Sequence, residues 1–470
     1  MLIVTLLRRL FDPEYLVPPE KRTGPLPSAK DAYSVTVQMA WPAVTESVLV
    51  CLVGVVDNIM VSRLGSAAIA ATGLTNQPRM ILLALFMALT HGVTAVVSRR
   101  RGQEDRAGAN RCLRQVLLLA AVAVVAAVVL MQPFSRGLLH FAGAQEDTID
   151  LAVTYFRIMI LGIPAVVLNM VINAAQRGAG NTRIAMKTNL SANVVNCIGN
   201  YLLIEGHLGF PALGVAGAAI ATVIGNYVGL AIAIASLSHR DNFLYVRLTD
   251  SFRPDMETLR SVMKVSGSAA LEQLFIRVGF FLYAKIVAEL GTDDFATHNI
   301  CMNVLSLSYC FGDGLTMAAS ALVGQSLGRR RPDVAILYGR CAQRIGALIS
   351  LCIVIICLTL NVPIMRLFTQ DPYIIEKGSF LIMLCSIIIT TQISQVVYSG
   401  CLRGAGDTLF VAMVSMLSIS IVRTGSSWLF CYPLGLGLYG AWYGIVFDQI
   451  LRLILNGKRF SDGKWTKIEV

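Results

Sequence analysis

The chain has 470 residues, 55% of them hydrophobic and 14% charged, and a mean hydropathy of +0.66. Its apolar residues run in long blocks, which excludes a soluble globular domain and points to lipid as solvent. There a spanning helix needs about 20 mostly apolar residues, and only helices or closed barrels satisfy the backbone. The net charge of +11 could suit nucleic acid, but the basic residues sit in short loops and no soluble basic domain exists to hold a duplex.

The opening MLIVTLLRRLF offers no cleavage site after its apolar run. It reads instead as a short amphipathic helix on the cytoplasmic surface, part of an N-terminal segment 1–34. Twelve spans follow, near 35–61, 80–98, 113–132, 154–176, 184–204, 213–236, 258–288, 298–327, 341–362, 379–402, 409–433 and 436–456. The expected fold is all-α and polytopic: an N-lobe over 35–238, a cytoplasmic linker at 239–257, a C-lobe over 258–456 and a tail at 457–470. With the N-terminus inside, inner segments hold thirty Lys and Arg, against six (including Arg63, Arg79 and Arg157) in outer loops and at outer span ends. The Lys/Arg bias therefore puts both termini in the cytoplasm. The eleven cysteines are scattered through apolar segments without CxxC pairs and read as packing residues.

The halves repeat. QRGAGNT at 176–182 matches LRGAGDT at 402–408 with an offset of 226, and the same offset relates Glu46 to Glu272, Leu64-Gly65 to Leu290-Gly291 and Gly102 to Gly328. LGVAGA at 213–218 meets LGLYGA at 436–441 at an offset of 223, so a three-residue indel lies between. Two copies of six spans share one orientation and should be related by a pseudo-twofold axis along the membrane normal, an arrangement of transporters with the substrate path between the halves.

An ionised side chain at the bilayer centre costs roughly 2.5–3.5 kcal/mol on insertion scales, so each interior charge is a functional candidate. These are Glu46 and Asp57 in span 1, Glu272, Arg277 and Lys285 in span 7, Asp313 in span 8, Arg423 in span 11 and Asp448 in span 12. Asp57 follows Glu46 by eleven residues, about 20° apart on one helix stripe, and its depth suits a proton carrier; the alternative is interhelical glue. Asn173, Asn193, Asn196 and Asn200 add amides that, with Asp57, could ligate Na⁺ or simply bond across helices. Glu272, and with it Glu46, is placed to attract a cationic substrate or a proton as a substrate or second coupling site. Lys285 with Glu289 reads as a local ion pair, and Arg277, Arg423, Asp313 and Asp448 as charges that neutralise one another. The RGAG[ND]T segments read as turns in which Asn181 and Asp407 cap the following helix, with a lesser coupling role open for Asp407.

The RGAG[ND]T pair, VDNIMVSRLG at 56–65, ASALVGQSLG at 319–328 and LGVAGAAIAT at 213–222 together resemble the multidrug and toxic compound extrusion (MATE) family, prokaryotic branch, over nearly the whole chain after residue 35. The resemblance implies an antiporter that exports small organic, often cationic and amphipathic, compounds in exchange for H⁺ or Na⁺ by alternating access. It implies a multi-pass protein of the plasma (inner) membrane, probing no nucleic acid and needing no cofactor beyond the coupling ion. A monomer surrounded by lipid is expected. It places the coupling acid on Asp57, a hinge at Pro42, the polar companions on Asn173, Asn196, Asn200 and Thr222, and a span 7 acid on Glu272. Asn200 stands where many prokaryotic members have Asp, which weakens tight Na⁺ binding. A lipid-linked precursor flippase of the same superfamily would more often show fourteen spans and a strongly cationic cavity. A membrane-embedded enzyme would need HExxH, GxSxG or paired catalytic acids, and no such constellation is present.

Overall fold

The computed structural model describes residues 11–62, 64, 66–141, 148–238, 242–246 and 255–468. The expected surface helix at the N-terminus lies almost wholly outside them, as do residues 239–241 and 247–254 of the linker. Twelve long helices run through the described residues: α1 (Ala29–Ser62), α2 (Ser66–Gly102), α3 (Arg106–Phe141), α4 (Ile149–Gly178), α5 (Thr182–Leu203), α6 (Gly214–Ser236), α7 (Met256–Ala288), α8 (Thr292–Gly328), α9 (Pro332–Thr359), α10 (Pro372–Ala405), α11 (Thr408–Cys431) and α12 (Gly437–Asp462). Each overlaps one expected span. Many run a turn or more past the apolar block, because backbone hydrogen bonding continues through charged ends such as Arg99–Arg101 on α2. No strand occurs among the described residues.

Nine of the twelve are long and apolar enough to cross a membrane among the described residues. The other three are α5, which carries Asn189, Asn193, Asn196 and Asn200, α7, which carries Glu272 and Arg277, and α8, which carries Asp313.

Two compact units emerge, Thr45–Ser266 and Met1–Val44 with Gly267–Val470. Both divisions fall inside helices, α1 and α7, rather than in the 239–257 segment where the repeat divides the sequence. At 1.5 Å per residue these helices reach about 50 Å, long enough to carry residues of both groups. Pro42 is buried within α1, which stays helical across it.

In the first unit α4 packs against α2, α3 and α6, and α5 against α6; in the second α10 packs against α8, α9 and α12, and α11 against α12. The packing scheme thus repeats six helices on. So do its close contacts. A Cβ at Gly178 would lie 3.0 Å from the Thr94 carbonyl oxygen, and one at Gly404 only 2.2 Å from that of Ser320, each residue being 226 positions from its counterpart. The RGAG[ND]T turns match as well: Gly180 and Gly406 take left-handed φ of 93° and 91°, and the amides of Asn181 and Asp407 donate back to Gln176 and Leu402, both at 2.8 Å. The expected side-chain caps are absent, since neither Asn181 nor Asp407 bonds to the following helix through its side chain. The turn closes through backbone bonds instead, and Asp407 accepts from Arg459 Nε at 2.7 Å.

Exposed apolar stripes mark the lipid face. On α3 they are Val122, Val125, Val129 and Phe134; on α9 and just past its end they are Leu348, Leu351, Ile355 and Leu360, again 226 residues on. The two ends of the chain are pinned to the second unit: Thr23 donates to Asp333 on α9, and Lys21 Nζ to the Ser461 carbonyl at 2.5 Å. The tail is not free either, for α12 continues to Asp462 and Trp465 is fully buried, stacked on Phe460. In the described part of the linker, Tyr245 donates its amide to Asn110 Oδ1 at 2.7 Å and lies under the Arg106 guanidinium.

Candidate functional site

Asp57 sits five residues from the end of α1, where its carboxylate meets the amides of α5. Asn200 Nδ2 donates to Asp57 Oδ1 at 2.8 Å. The Asn196 amide has two good orientations. With its nitrogen towards Asp57 it donates to Oδ1 at 2.8 Å and Oδ2 at 3.1 Å, while its oxygen accepts from Thr222 Oγ1 at 2.8 Å. Turned over, its nitrogen donates to Thr222 Oγ1 at 2.8 Å, and the Thr222 hydroxyl in turn donates to the Ala218 carbonyl at 2.9 Å. The amide oxygen then faces Asp57, with Asn200 Nδ2 only distantly donating to it at 3.5 Å, and gains a short bond when the carboxyl carries a proton to donate. Asp57, Asn196, Asn200 and Thr222 are therefore brought together as the sequence suggested.

Asn173 is not part of that group. It donates to Asn169 Oδ1 at 3.1 Å and to Thr188 Oγ1 at 2.9 Å, and Asn169 continues to Asn189. Asn189 Nδ2 reaches Glu46 Oε1 at 2.5 Å, and Arg177 Nη1 lies 3.3 Å from the same oxygen. Glu46 thus shares a helix stripe with Asp57 but belongs to a second network, closed by the arginine of the RGAGNT turn.

Glu272 repeats that arrangement. It is 1% exposed and takes Arg403 Nη2 at 2.6 Å, Arg403 Nε at 3.2 Å and Ser415 Oγ at 3.2 Å. Glu46, Arg177 and Asn189 become Glu272, Arg403 and Ser415 on adding 226 to each number. This corrects the expectation of Glu272 as an open substrate or proton site, since its charge is already met by a bidentate guanidinium in a dry position. Of the four charges expected to cancel, Arg423 and Asp448 do pair, through both Nε (3.1 Å) and Nη2. Among the described residues, Arg277 and Asp313 do not join them. Arg423 closes a π-helical stretch, Met416–Arg423, and lies over the Phe280 ring. Glu289 accepts from the Tyr432 hydroxyl at 2.8 Å, not from Lys285 as expected.

Beside Asp57 opens a pocket of about 420 Å³ within the first unit. Thr72, Thr75, Asn76 and Arg79 line it from α2, at the i, i+3, i+4, i+7 spacing of one helix face, and Tyr155, Phe156, Met159, Ile160 and Ile163 from α4, with Thr222 from α6. Sequence reasoning missed the α2 face. It took Arg79 for an outer span end, whereas α2 begins at Ser66 and carries Arg79 thirteen residues, about 20 Å, along the helix. The polar stripe at helical spacing was the available signal. Among the described residues no group of three or more His, Cys, Asp or Glu forms a metal cluster.

A family model described as MatE matches residues 42–202 and again 268–429, more than half of the chain, with starts 226 residues apart. The chain is 28% identical over 432 residues to the "Probable multidrug resistance protein NorM" of Thermotoga maritima, covering 92% of both chains. It is 27% identical over 440 residues to the "Uncharacterized transporter YisQ" of Bacillus subtilis, covering 91% of this chain and 94% of that one. The fold is that of a solved outward-facing multidrug resistance MATE family transporter of the MOP superfamily: TM-score 0.86, 24% identity, 92% of this chain and 97% of that chain. These relatives are transporters and not enzymes. The chain belongs to the MatE family, the multidrug and toxic compound extrusion family, in its prokaryotic branch, and is a multi-pass membrane transporter.

Proposed function

We propose that this protein is an H⁺-coupled antiporter that exports small organic, amphipathic compounds, with Asp57 as the proton carrier and the adjacent pocket as the substrate site. Both termini face the cytoplasm in this reading, and the two halves open the path to either side in turn. The observation that carries it is the paired state of the Asn196 amide. An ionised Asp57 holds two amide donors, from Asn196 and Asn200. A protonated Asp57 turns Asn196 over and passes the change to Thr222 on α6. One proton thereby alters the bonding between α1, α5 and α6 beside the pocket, which is what exchange requires.

Na⁺ fits less well. A hard cation takes oxygen ligands, and with Asn196 turned to donate, both carboxylate oxygens meet amide nitrogens. Pro42 remains the hinge of this reading: it lacks the N–H that would bond to the Gln38 carbonyl, which lowers the cost of bending α1 there.

The test is dye efflux from proteoliposomes under separate pH and Na⁺ gradients. The expected result is efflux driven by a pH gradient alone and abolished in Asp57→Asn, which keeps the shape and loses the titrating group. Full gradient-driven efflux in that variant refutes the coupling role, and efflux driven only by Na⁺ replaces the ion.

A further inference from the structure

The pocket holds a charge that proton exchange does not use. Arg79 faces it from α2, alongside Thr75 and Asn76, and its Nε is buried with no hydrogen-bond partner among the described residues. Asp57 does not pair with it: no ion pair joins Asp57 to Arg79 among the described residues, and the carboxylate accepts from the neutral amides of Asn196 and Asn200, which leave its charge available to a cation. Arg79 is half-buried, and its Nε is a buried donor left without an acceptor among the described residues. Its planar fork of five donors matches a carboxylate.

We propose that Arg79 is a specificity-determining residue that binds a carboxylate on the exported compound, so that the pocket selects amphipathic zwitterions over simple cations. This rests on the export reading and deepens it. The cationic end lies towards Asp57, the carboxylate on Arg79, and the apolar body against Met159, Ile160 and Ile163. Charge balance favours this class over the alternatives. A simple cation would be repelled by Arg79. A simple anion would bind more tightly once Asp57 took up a proton, the reverse of what proton-driven release requires. A zwitterion answers both charges, and proton uptake removes one of its two anchors. The volume of about 420 Å³ lies in the range that holds one drug-sized molecule.

The test uses two dyes of one shape: a rhodamine with a free benzoate, which is a zwitterion, and its methyl ester, which is a cation. Binding to the full-length protein in nanodiscs is read by fluorescence anisotropy. The native protein is expected to bind the acid about tenfold or more tightly than the ester, the effect of one charge-assisted bidentate pair. Arg79→Gln should abolish the preference while keeping ester binding, which also shows that the variant is folded, and Arg79→Lys should keep part of it. Equal affinity for the two dyes in the native protein, binding of neither, or an unchanged ratio in Arg79→Gln overturns the proposal. Should Arg79→Gln bind neither dye, Arg79→Lys decides: a retained preference supports the proposal and a lost one overturns it. The export reading fails separately, when the native protein binds the acid with this preference but carries neither dye across a vesicle membrane under a pH gradient.

Discussion

Two glutamates that look alike in sequence as interior acids turn out to be half of a lock that recurs in each half. Glu46 and Glu272 each meet the arginine of an RGAG turn, Arg177 and Arg403, and a polar residue one helix further, Asn189 and Ser415. The Glu272 pair is the drier, with side-chain exposures of 1% and 16%. Removing one partner of such a pair leaves an uncompensated buried charge and costs roughly 3–5 kcal/mol, more than the pair itself is worth. Arg403→Ala should therefore lower the thermal midpoint in detergent markedly, while the double variant Arg403→Ala with Glu272→Gln should recover part of the loss. An unaltered midpoint in the single variant would show that Glu272 finds another partner. Asp57 is different in kind, because its partners are neutral amides that can serve either protonation state.

At the scale of helices, the close approach of α10 to α8 depends on a missing side chain. A methyl group at Gly404 would stand 2.2 Å from the Ser320 carbonyl oxygen, and backbone cannot yield as a flexible side chain does. Gly404→Ala is expected to destabilise by about 1–3 kcal/mol, the usual range for overpacking. Gly137 on α3 has nothing within 4 Å of its would-be Cβ, so Gly137→Ala should be neutral or stabilising by up to about 1 kcal/mol, the helix-propensity gain over glycine. Unfolding midpoints of the two variants, measured together, check both; equal shifts would remove the packing argument. The two halves part company in their fifth helices. α5 is regular through Asn196 and Asn200, whereas α11 contains the π-helical turn that ends at Arg423, which pairs with Asp448. Tyr283 stands 226 residues after Asp57, so the second half holds a closed ion pair and a phenol where the first holds an open acid.

Over the whole molecule, a buried carboxylate is one of the groups that hold the N-terminal segment, beside the Lys21 bond to the Ser461 carbonyl. Asp333 is fully buried and accepts from Arg331 Nε and Nη2, both at 2.9 Å, and from Thr23 Oγ1 at 2.7 Å and Thr23 N at 3.2 Å. Burial pushes its pKa up, but these bonds outweigh it and hold the group at about 2, below the ordinary 3.8. A depressed value means stability that is fully present above pH 4 and is lost as pH falls from 4 towards 2, up to about 2 kcal/mol. Asp333→Asn should thus be less stable than the native protein at pH 7 and indistinguishable from it near pH 2, in acid-unfolding curves of the purified protein. A gap that persists at pH 2 would assign the effect to lost packing.

The sequence by itself determined the all-helical membrane class, the places of twelve helices and the duplication, because all three rest on long-range regularities: apolar block length, the Lys/Arg bias and a 226-residue offset. It also marked Asp57, Asn196, Asn200 and Thr222, which do converge. Only the tertiary structure decided which acids meet a counter-charge and which meet neutral amides. Glu46 and Glu272 carry the same local signature as Asp57, and what separates them is an arginine 131 residues away in sequence that folding brings within hydrogen-bonding reach. Arg79 was misjudged for a related reason. A span drawn from hydropathy ends at the first charge, whereas α2 is held by its backbone and by packing on α4, and so carries that charge on into a pocket.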